Sequence, residues 1–199
     1  MIPVAFIRHG PTAWNEEKRL QGRADVPLSE RGHLKVSGWR LPAEFESYDW
    51  VASPLIRARQ TASLLRLEPA IENALIEMDW GEWEGHTFQE LEAKYGDEVH
   101  RRAALGLDLR PHGGESPRDV RDRVARWLEG VAATGRPAGA VAHQGIVRAA
   151  LSLATGWSMV GKPPAKMDWA SVHLFMLDPG GALRMERLNI SLEAEPVLE

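Results

Sequence analysis

The chain contains no cysteine, which excludes disulfides, thiolate metal sites and cysteine nucleophiles, and agrees with a reducing compartment. No run of apolar residues approaches the ~20 needed to cross a bilayer, so no spanning helix is expected. The N-terminus lacks the basic, apolar and small-residue sections of a secretory signal, and the expected compartment is the cytoplasm. A basic excess is also missing: 24 Lys and Arg stand against 28 Asp and Glu, for a net charge of -4. That balance argues against a partner bound through a nucleic-acid backbone, which needs a broad basic surface. The seven histidines show no His-x-His or His-Glu-x-x-His spacing, so no metal ligation is expected.

What is present fits an ordinary globular protein: 44% hydrophobic and 26% charged residues in 199, long enough for one domain spanning residues 1–199. An acidic protein that binds a phosphoester must gather its positive charge in one cleft. The chain opens with Val4-Ala5-Phe6-Ile7, apolar and of strand type, and stops abruptly at Arg8-His9-Gly10. A buried parallel strand reads as continuous apolar sequence, and ligands in open α/β sheets sit just past strand carboxyl ends. An imidazole there can attack phosphorus while the neighbouring guanidinium binds phosphate oxygens as a fork.

From His9 to about Leu28 the periodicity is weak, as in a loop that folds over a site. Its Asn15 and Gln21 can donate amide hydrogen bonds to phosphate, or serve as ordinary polar loop residues. Ser29 to about Phe45 reads as a helix and Tyr48 to Ser53 as a short strand. Ser53-Pro54 resembles an N-cap followed by proline, opening a helix over Leu55 to Leu65 with Arg57 in its first turn, where it and the helix amides face one anion. Leu75 to Gly85 reads as a strand end and loop, with Glu77, Asp79, Glu82 and Glu84 beside Trp80 and Trp83. A carboxyl desolvated by tryptophan can act as a general acid near neutrality, and all four are candidates.

Thr87 to Glu90 is a capping box opening a helix to Tyr95, and Gly96 to Gly114 reads as a mobile or partly helical insertion. Ser116-Pro117 starts the best-patterned helix, with Val120, Val124, Trp127, Leu128 and Val131 on one stripe. Ala138 to Ala142 repeats the first strand and ends in His143-Gln144-Gly145, followed by a helical run to Gly156. Two strands each ending in His then Gly place both imidazoles at one sheet edge. Ala170 to Leu177 and Leu183 to Ile190 form a hairpin around Pro179-Gly180-Gly181, and Ser191 to Glu199 is expected to fray. Gly156 to Lys162 nearly spells a phosphate-binding loop, but Pro163 stands where Ser or Thr is required and no strand precedes it.

Taken together, Arg8-His9-Gly10-x-Thr12-x-x-Asn15, Gln21-Gly22, Ser53-Pro-Leu-x-Arg57-Ala-x-Gln-Thr61, Glu77-x-x-x-Gly81-x-Trp83-Glu-Gly85, Gly113-Gly-Glu-Ser116 and His143-x-Gly145 resemble the histidine phosphatase (phosphoglycerate mutase-like) superfamily. The resemblance covers nearly the whole chain. It implies an α/β fold, a three-layer α/β/α sandwich with a mostly parallel central sheet. It implies His9 as the phosphorylated nucleophile, Arg8, Arg57 and His143 as the phosphate pocket, and Glu77, by its distance from Gly81, as the proton donor. By the same resemblance Asn15, Gln21, Gly22 and the backbone NH of Gln144 contact phosphate, and Glu115 stands behind them.

The implied activity is hydrolysis of a small phosphorylated metabolite through phosphohistidine, with no cofactor and no metal. A cofactor-dependent phosphoglycerate mutase is the alternative. Mutases of this family typically carry Tyr where Trp80 stands and Lys near Phe88; Arg101-Arg102 matches their Arg pair. Trp14, Trp80 and Trp83 are expected to line a less polar leaving-group site. An inactive module that binds phosphorylated ligands is a third possibility, opposed by the complete set of reactive residues. The oligomeric state is left open between monomer and homodimer.

Overall fold

The computed structural model describes residues 1–193. Six strands form one sheet in the order β3-β2-β4-β1-β5-β6. On one side β1 (Ile2–Arg8), β4 (Ala138–Ala142), β2 (Asp49–Ala52) and β3 (Ala70–Ile71) run parallel. On the other, β5 (Ser171–Leu177) and β6 (Leu183–Ser191) join antiparallel as the expected hairpin.

The alternation of side chains along β1 explains the layering. Val4 and Phe6 point to a core shared with α6 (Pro117–Thr134) and α7 (Gln144–Thr155), while Ala5 and Ile7 point to one shared with α2 (Glu30–Ser37) and α3 (Ile56–Leu64). Both faces are covered, so β1 up to Ile7 and all of β4 are apolar at every position rather than at every second one. The fold is therefore the α/β sandwich that the motifs imply, with a mixed, mostly parallel sheet.

Local signals hold where the interaction that makes them is local. Thr87 and Glu90 cap α4 (Phe88–Tyr95) reciprocally, and Ser116 does the same with Asp119 at the start of α6. The apolar stripe Val120, Val124, Trp127, Leu128 and Val131 is buried as its spacing predicts. Gly156 ends α7 in the left-handed conformation.

Four expectations need correction. The helix from Ser29 stops at Ser37, because Gly38 and Pro42 interrupt it, and Ala43–Phe45 forms a separate 3₁₀ turn. Ser53 does not cap α3, whose cap residue is Leu55. The stretch from Leu75 to Gly85 contains 3₁₀ turns rather than a strand end. The insertion from Gly96 to Gly114 is partly helical as expected, through α5 (Glu98–Ala103) and a 3₁₀ turn at Gly106–Asp108. In the tail, Leu192 is buried and accepts a bond from the Arg40 amide, and Glu193 bridges to Trp39. Residues 194–199 lie outside the described residues.

Candidate active site

β1 and β4 pair with Arg8 opposite Ala142, so the residues that follow, His9 and His143, leave adjacent strands at the same level. Their ring centroids are 5.2 Å apart. The His9 amide donates to the Ala142 carbonyl at 2.9 Å, and its Nδ1 lies 2.7 Å from the Gly10 carbonyl. A carbonyl only accepts, so Nδ1 carries the hydrogen and a neutral ring keeps its lone pair on Nε2. Burial, with the charges of Arg8 and Arg57 nearby, holds the His9 pKa well below the ordinary histidine range. His9 is thus an uncharged imidazole with Nε2 free.

His143 is fully buried and its pKa is likewise held low, first by desolvation and then by His9 and the two arginines. Its Nε2 lies 2.6 Å from Ser53 Oγ. Ser53 reaches it because its own amide continues the β2–β4 ladder onto the Val141 carbonyl. Since the Leu55 amide donates to Ser53 Oγ, the hydroxyl hydrogen is free to donate to Nε2, which puts the ring hydrogen on Nδ1.

Arg57 is fully buried, yet among the described residues no carboxylate pairs with it: its two terminal nitrogens donate to the Gly22 and Ala24 carbonyls at 2.6 and 2.8 Å. The polar loop after His9 therefore orients the guanidinium. The expected convergence of helix amides with Arg57 on one anion is not what the structure shows at Ile56, whose amide is taken by the Asp25 carboxylate at 2.6 Å. Arg8 lies with its guanidinium carbon 5.1 Å from the Trp169 ring centre, and burial brings its pKa down to about 10. It remains charged at any physiological pH.

Buried polar atoms almost always find a partner, so those that do not deserve an explanation. Among the described residues seven buried side-chain atoms have none, and four of them are Arg8 Nε, Gln21 Nε2, Arg57 Nε and His143 Nδ1. All four are donors by the argument above, and all belong to residues around His9. Gln21 is held with its amide nitrogen free because Thr12 Oγ donates to its oxygen at 2.9 Å. Asn15 is held the same way, its oxygen accepting the Thr12 amide at 3.1 Å.

Of the four carboxylates near the tryptophans, only Glu77 lines the cleft with His9. Asp79 pairs with Arg23, Glu82 accepts from the Tyr95 hydroxyl, and Glu84 accepts the Arg23 and Ala24 amides. Glu77 is buried, and desolvation raises its pKa although the Met78 and Gly145 amides, at 2.8 and 3.1 Å, oppose the rise. Gly145 lets the Glu77 carboxyl sit where it does, since a Cβ there would displace it. Glu115 stands behind the cleft, binding Arg123, Arg23 and the Asp79 amide.

The cleft has two lobes, of about 630 and 410 Å³, that share Arg8, His9 and Asn15. Gln21, Glu77 and Gln144 line the smaller lobe. Arg57 and His143 lie behind this wall with no exposed surface, and Gly22 acts through the carbonyl that holds Arg57 rather than by lining either lobe. Of the three tryptophans expected at the leaving-group side, Trp80 lines the smaller lobe, Trp83 is buried and stacked on it, and Trp14 lies against Gly85. Among the described residues no three His, Asp or Glu side chains cluster to hold a metal ion.

Sequence reasoning missed three residues. Ser53 and Thr61 stand in the sequence as motif positions, Ser53 also as a cap, without a role at the site; in the structure the Thr61 hydroxyl accepts the Gly10 amide at 2.9 Å and Ser53 meets His143. Arg148 also lines the smaller lobe. Its signal was legible, a lone charge among Ile146, Val147, Ala149, Ala150 and Leu151 on an otherwise apolar helix.

The sequence profile of the histidine phosphatase superfamily (branch 1) matches residues 4–191, and the chain belongs to that family. It is 32% identical over 179 residues to a glucosyl-3-phosphoglycerate phosphatase of Mycolicibacterium vanbaalenii, covering 79% of this chain and 78% of that protein. It is 36% identical over 141 residues to a 2,3-bisphosphoglycerate-dependent phosphoglycerate mutase of Gloeobacter violaceus, covering 64% of this chain and 62% of the mutase. The chain spans 35% of a mycobacterial bifunctional protein that it also matches. The mycobacterial glucosyl-3-phosphoglycerate phosphatase in complex with inorganic phosphate superposes with a TM-score of 0.78 at 25% identity, over 98% of this chain and all of that one. Relatives thus include both phosphatases and mutases.

Proposed function

We propose that the protein is a phosphomonoester hydrolase that works through a phosphohistidine on His9 and needs no metal ion. The observation that carries this proposal is the orientation of His9: the Gly10 carbonyl fixes the hydrogen on Nδ1 and leaves Nε2, in an uncharged ring, as the nucleophile. Arg8, Arg57, His143, Asn15 and Gln21 direct donors at the phosphoryl oxygens, and the Gln144 amide at the start of α7 adds a backbone donor. Two guanidinium charges and several neutral donors thus spread charge over the equatorial oxygens as phosphorus passes between two in-line oxygen or nitrogen atoms.

The reaction is then a two-step exchange. Nε2 of His9 attacks phosphorus as the ester bond breaks, and Glu77 gives its proton to the departing alkoxide. Water replaces the alcohol, gives a proton to the Glu77 carboxylate and attacks the phosphohistidine, releasing inorganic phosphate and restoring both residues. The raised pKa of Glu77 suits the first step, and the Gly145 amide, which steadies the carboxylate, suits the second.

The hydrolase is favoured over the mutase by the fate of the arginine pair. The Arg102 guanidinium is taken by Glu98 and the Arg110 carbonyl, and neither Arg101 nor Arg102 lines the cleft. The test is mass spectrometry after rapid acid-free quenching of turnover on an aryl phosphate, which should show an acid-labile, base-stable phosphoryl group on His9. Release of phosphate to water with no transfer to an added phosphoglycerate supports the hydrolase. Labelling that persists in His9→Ala, or transfer that outpaces release, refutes it.

A further inference from the structure

Arg148 is a cation that makes no ion pair among the described residues. It lies one helical turn after Gln144 on the same face of α7, half-buried, and it lines the smaller lobe. Its guanidinium carbon sits 5.1 Å over the Trp157 ring, which anchors it at the wall of the lobe. Trp157 is itself held, its indole nitrogen donating to the Val160 carbonyl, and the segment around it is docked by the Leu107 amide on the Ser158 carbonyl. The other arginine on this side of the lobe, Arg19, is neutralised by Glu17 and Glu90. The carboxylate whose field reaches Arg148 is Glu77, the buried acid whose pKa is raised.

The lobe shared by His9 and Arg148 carries the polar Gln21, Glu77 and Gln144, and its other walls include the apolar Leu20, Trp80, Phe88, Leu109 and Met159. Phe88 is 43% exposed, an aromatic side chain at the lobe that no core explains. A substrate bound with its phosphoryl group at His9 and its ester oxygen at Glu77 therefore shares the lobe with apolar side chains and one planar cation that makes no ion pair among the described residues. A carboxylate matches that cation in shape and charge, since a guanidinium presents two parallel N–H groups to one planar anion. A second phosphate matches less well, because the first one is met by several cationic and amide donors and this position offers a single arginine.

We propose that Arg148 is a carboxylate subsite for the leaving group, and that the substrates are phosphate esters whose alcohol joins an apolar body to a terminal carboxylate. This rests on the hydrolase proposed above, and one pair of probes separates the two. The phosphate ester of 3-(4-hydroxyphenyl)propanoate and 4-propylphenyl phosphate release phenols of nearly equal acidity and shape, so only the carboxylate distinguishes them.

The expected result is a kcat/KM ratio favouring the carboxylate ester by roughly 10-fold or more, falling to about 1 in Arg148→Gln and partly retained in Arg148→Lys, as for loss of one charge-assisted hydrogen bond. A ratio near 1 in the unaltered protein, or one unchanged by Arg148→Gln, overturns the subsite while leaving the hydrolase standing. The free acid, 3-(4-hydroxyphenyl)propanoate, is titrated in parallel against tryptophan fluorescence. Binding that depends on Arg148, with neither ester hydrolysed, keeps the subsite and sinks the hydrolase. Tighter binding of neutral 4-propylphenol than of the free acid to the unaltered protein overturns the subsite even if Arg148→Gln fails to fold.

Discussion

Ser53 Oγ lies 2.6 Å from His143 Nε2 although 90 positions separate the two residues in the chain. The contact exists because β2 and β4 are neighbours in register, with Ala52 opposite Val141. Ser53 lines neither lobe of the cleft; its hydroxyl meets the ring of His143, the histidine proposed to bind phosphate. Ser53→Ala should lower kcat about 10-fold, the consequence of losing one buried hydrogen bond, while Ser53→Thr should recover most of it. If alanine and threonine behave alike, the hydroxyl does not orient His143.

Arg57 can be separated from a simple positive charge. Both of its terminal nitrogens are needed at once to meet the Gly22 and Ala24 carbonyls, and an ammonium cannot span them. Arg57→Lys should therefore cost on the order of 10²-fold in kcat/KM, approaching the loss in Arg57→Ala, which removes a preorganised donor. A lysine variant with near-normal rate would place the phosphate elsewhere.

The pH dependence follows from two opposite shifts. His9 must be unprotonated to attack, and its pKa is held below about 6.5, so the acid limb of the kcat/KM profile should lie below that pH. Glu77 must be protonated to help the leaving group, and its pKa is raised above 4.5, so rate should fall as pH rises through that higher value. In Glu77→Gln the alkaline fall should vanish. The variant should also lose more on alkyl phosphates, whose alkoxides need a proton, than on aryl phosphates. Single-turnover rates with equal small losses on both would pass the role to another group.

Dialysis against EDTA should leave turnover unchanged if, as proposed, the Arg8 and Arg57 guanidinium groups supply the positive charge that a divalent ion supplies in other phosphoryl transfers. Vanadate should inhibit competitively by accepting the same donors. Activity lost on dialysis and restored by one divalent ion would overturn the metal-free scheme.

His173, buried in β5, offers a stability test away from the cleft. The Asn189 amide donates to its Nδ1, and burial lowers its pKa from 6.5 to about 4. The unfolded chain binds a proton at about pH 6.5 where the folded chain refuses it, so stability should be full above that pH and decline as pH falls toward 4. The loss amounts to about 3 kcal/mol, at about 1.4 kcal/mol per pH unit. Urea midpoints across this window should fall less steeply in His173→Asn, whatever its absolute stability. An unchanged slope would assign the acid loss to other groups.

The sequence by itself determined what neighbours in the chain decide. The apolar runs before His9 and His143, the reciprocal caps at Thr87 and Ser116, the stripe on α6 and the glycine ending α7 all arise between residues within a few positions of each other. Motif spacing also placed Arg8, His9, Arg57, Glu77 and His143 in one expected site. Tertiary structure alone decided how those groups are held. Ser53 read as a helix cap because serine before proline has that local meaning, but the sheet order carried it to His143 and left the cap to Leu55. Composition could not separate Glu77 from Asp79, Glu82 and Glu84, since all four share the same local surroundings, and the motif spacing chose it only by resemblance; in the structure it lines the cleft and accepts the Gly145 amide, 68 positions away, while the others are taken by Arg23, Tyr95 and the Arg23 and Ala24 amides. Arg148 acquired meaning only when the 3₁₀ turn at Gly106–Asp108 and the Trp157 segment closed around it. Such contacts depend on strand order, register and loop closure, which act between distant residues and leave no period in the chain.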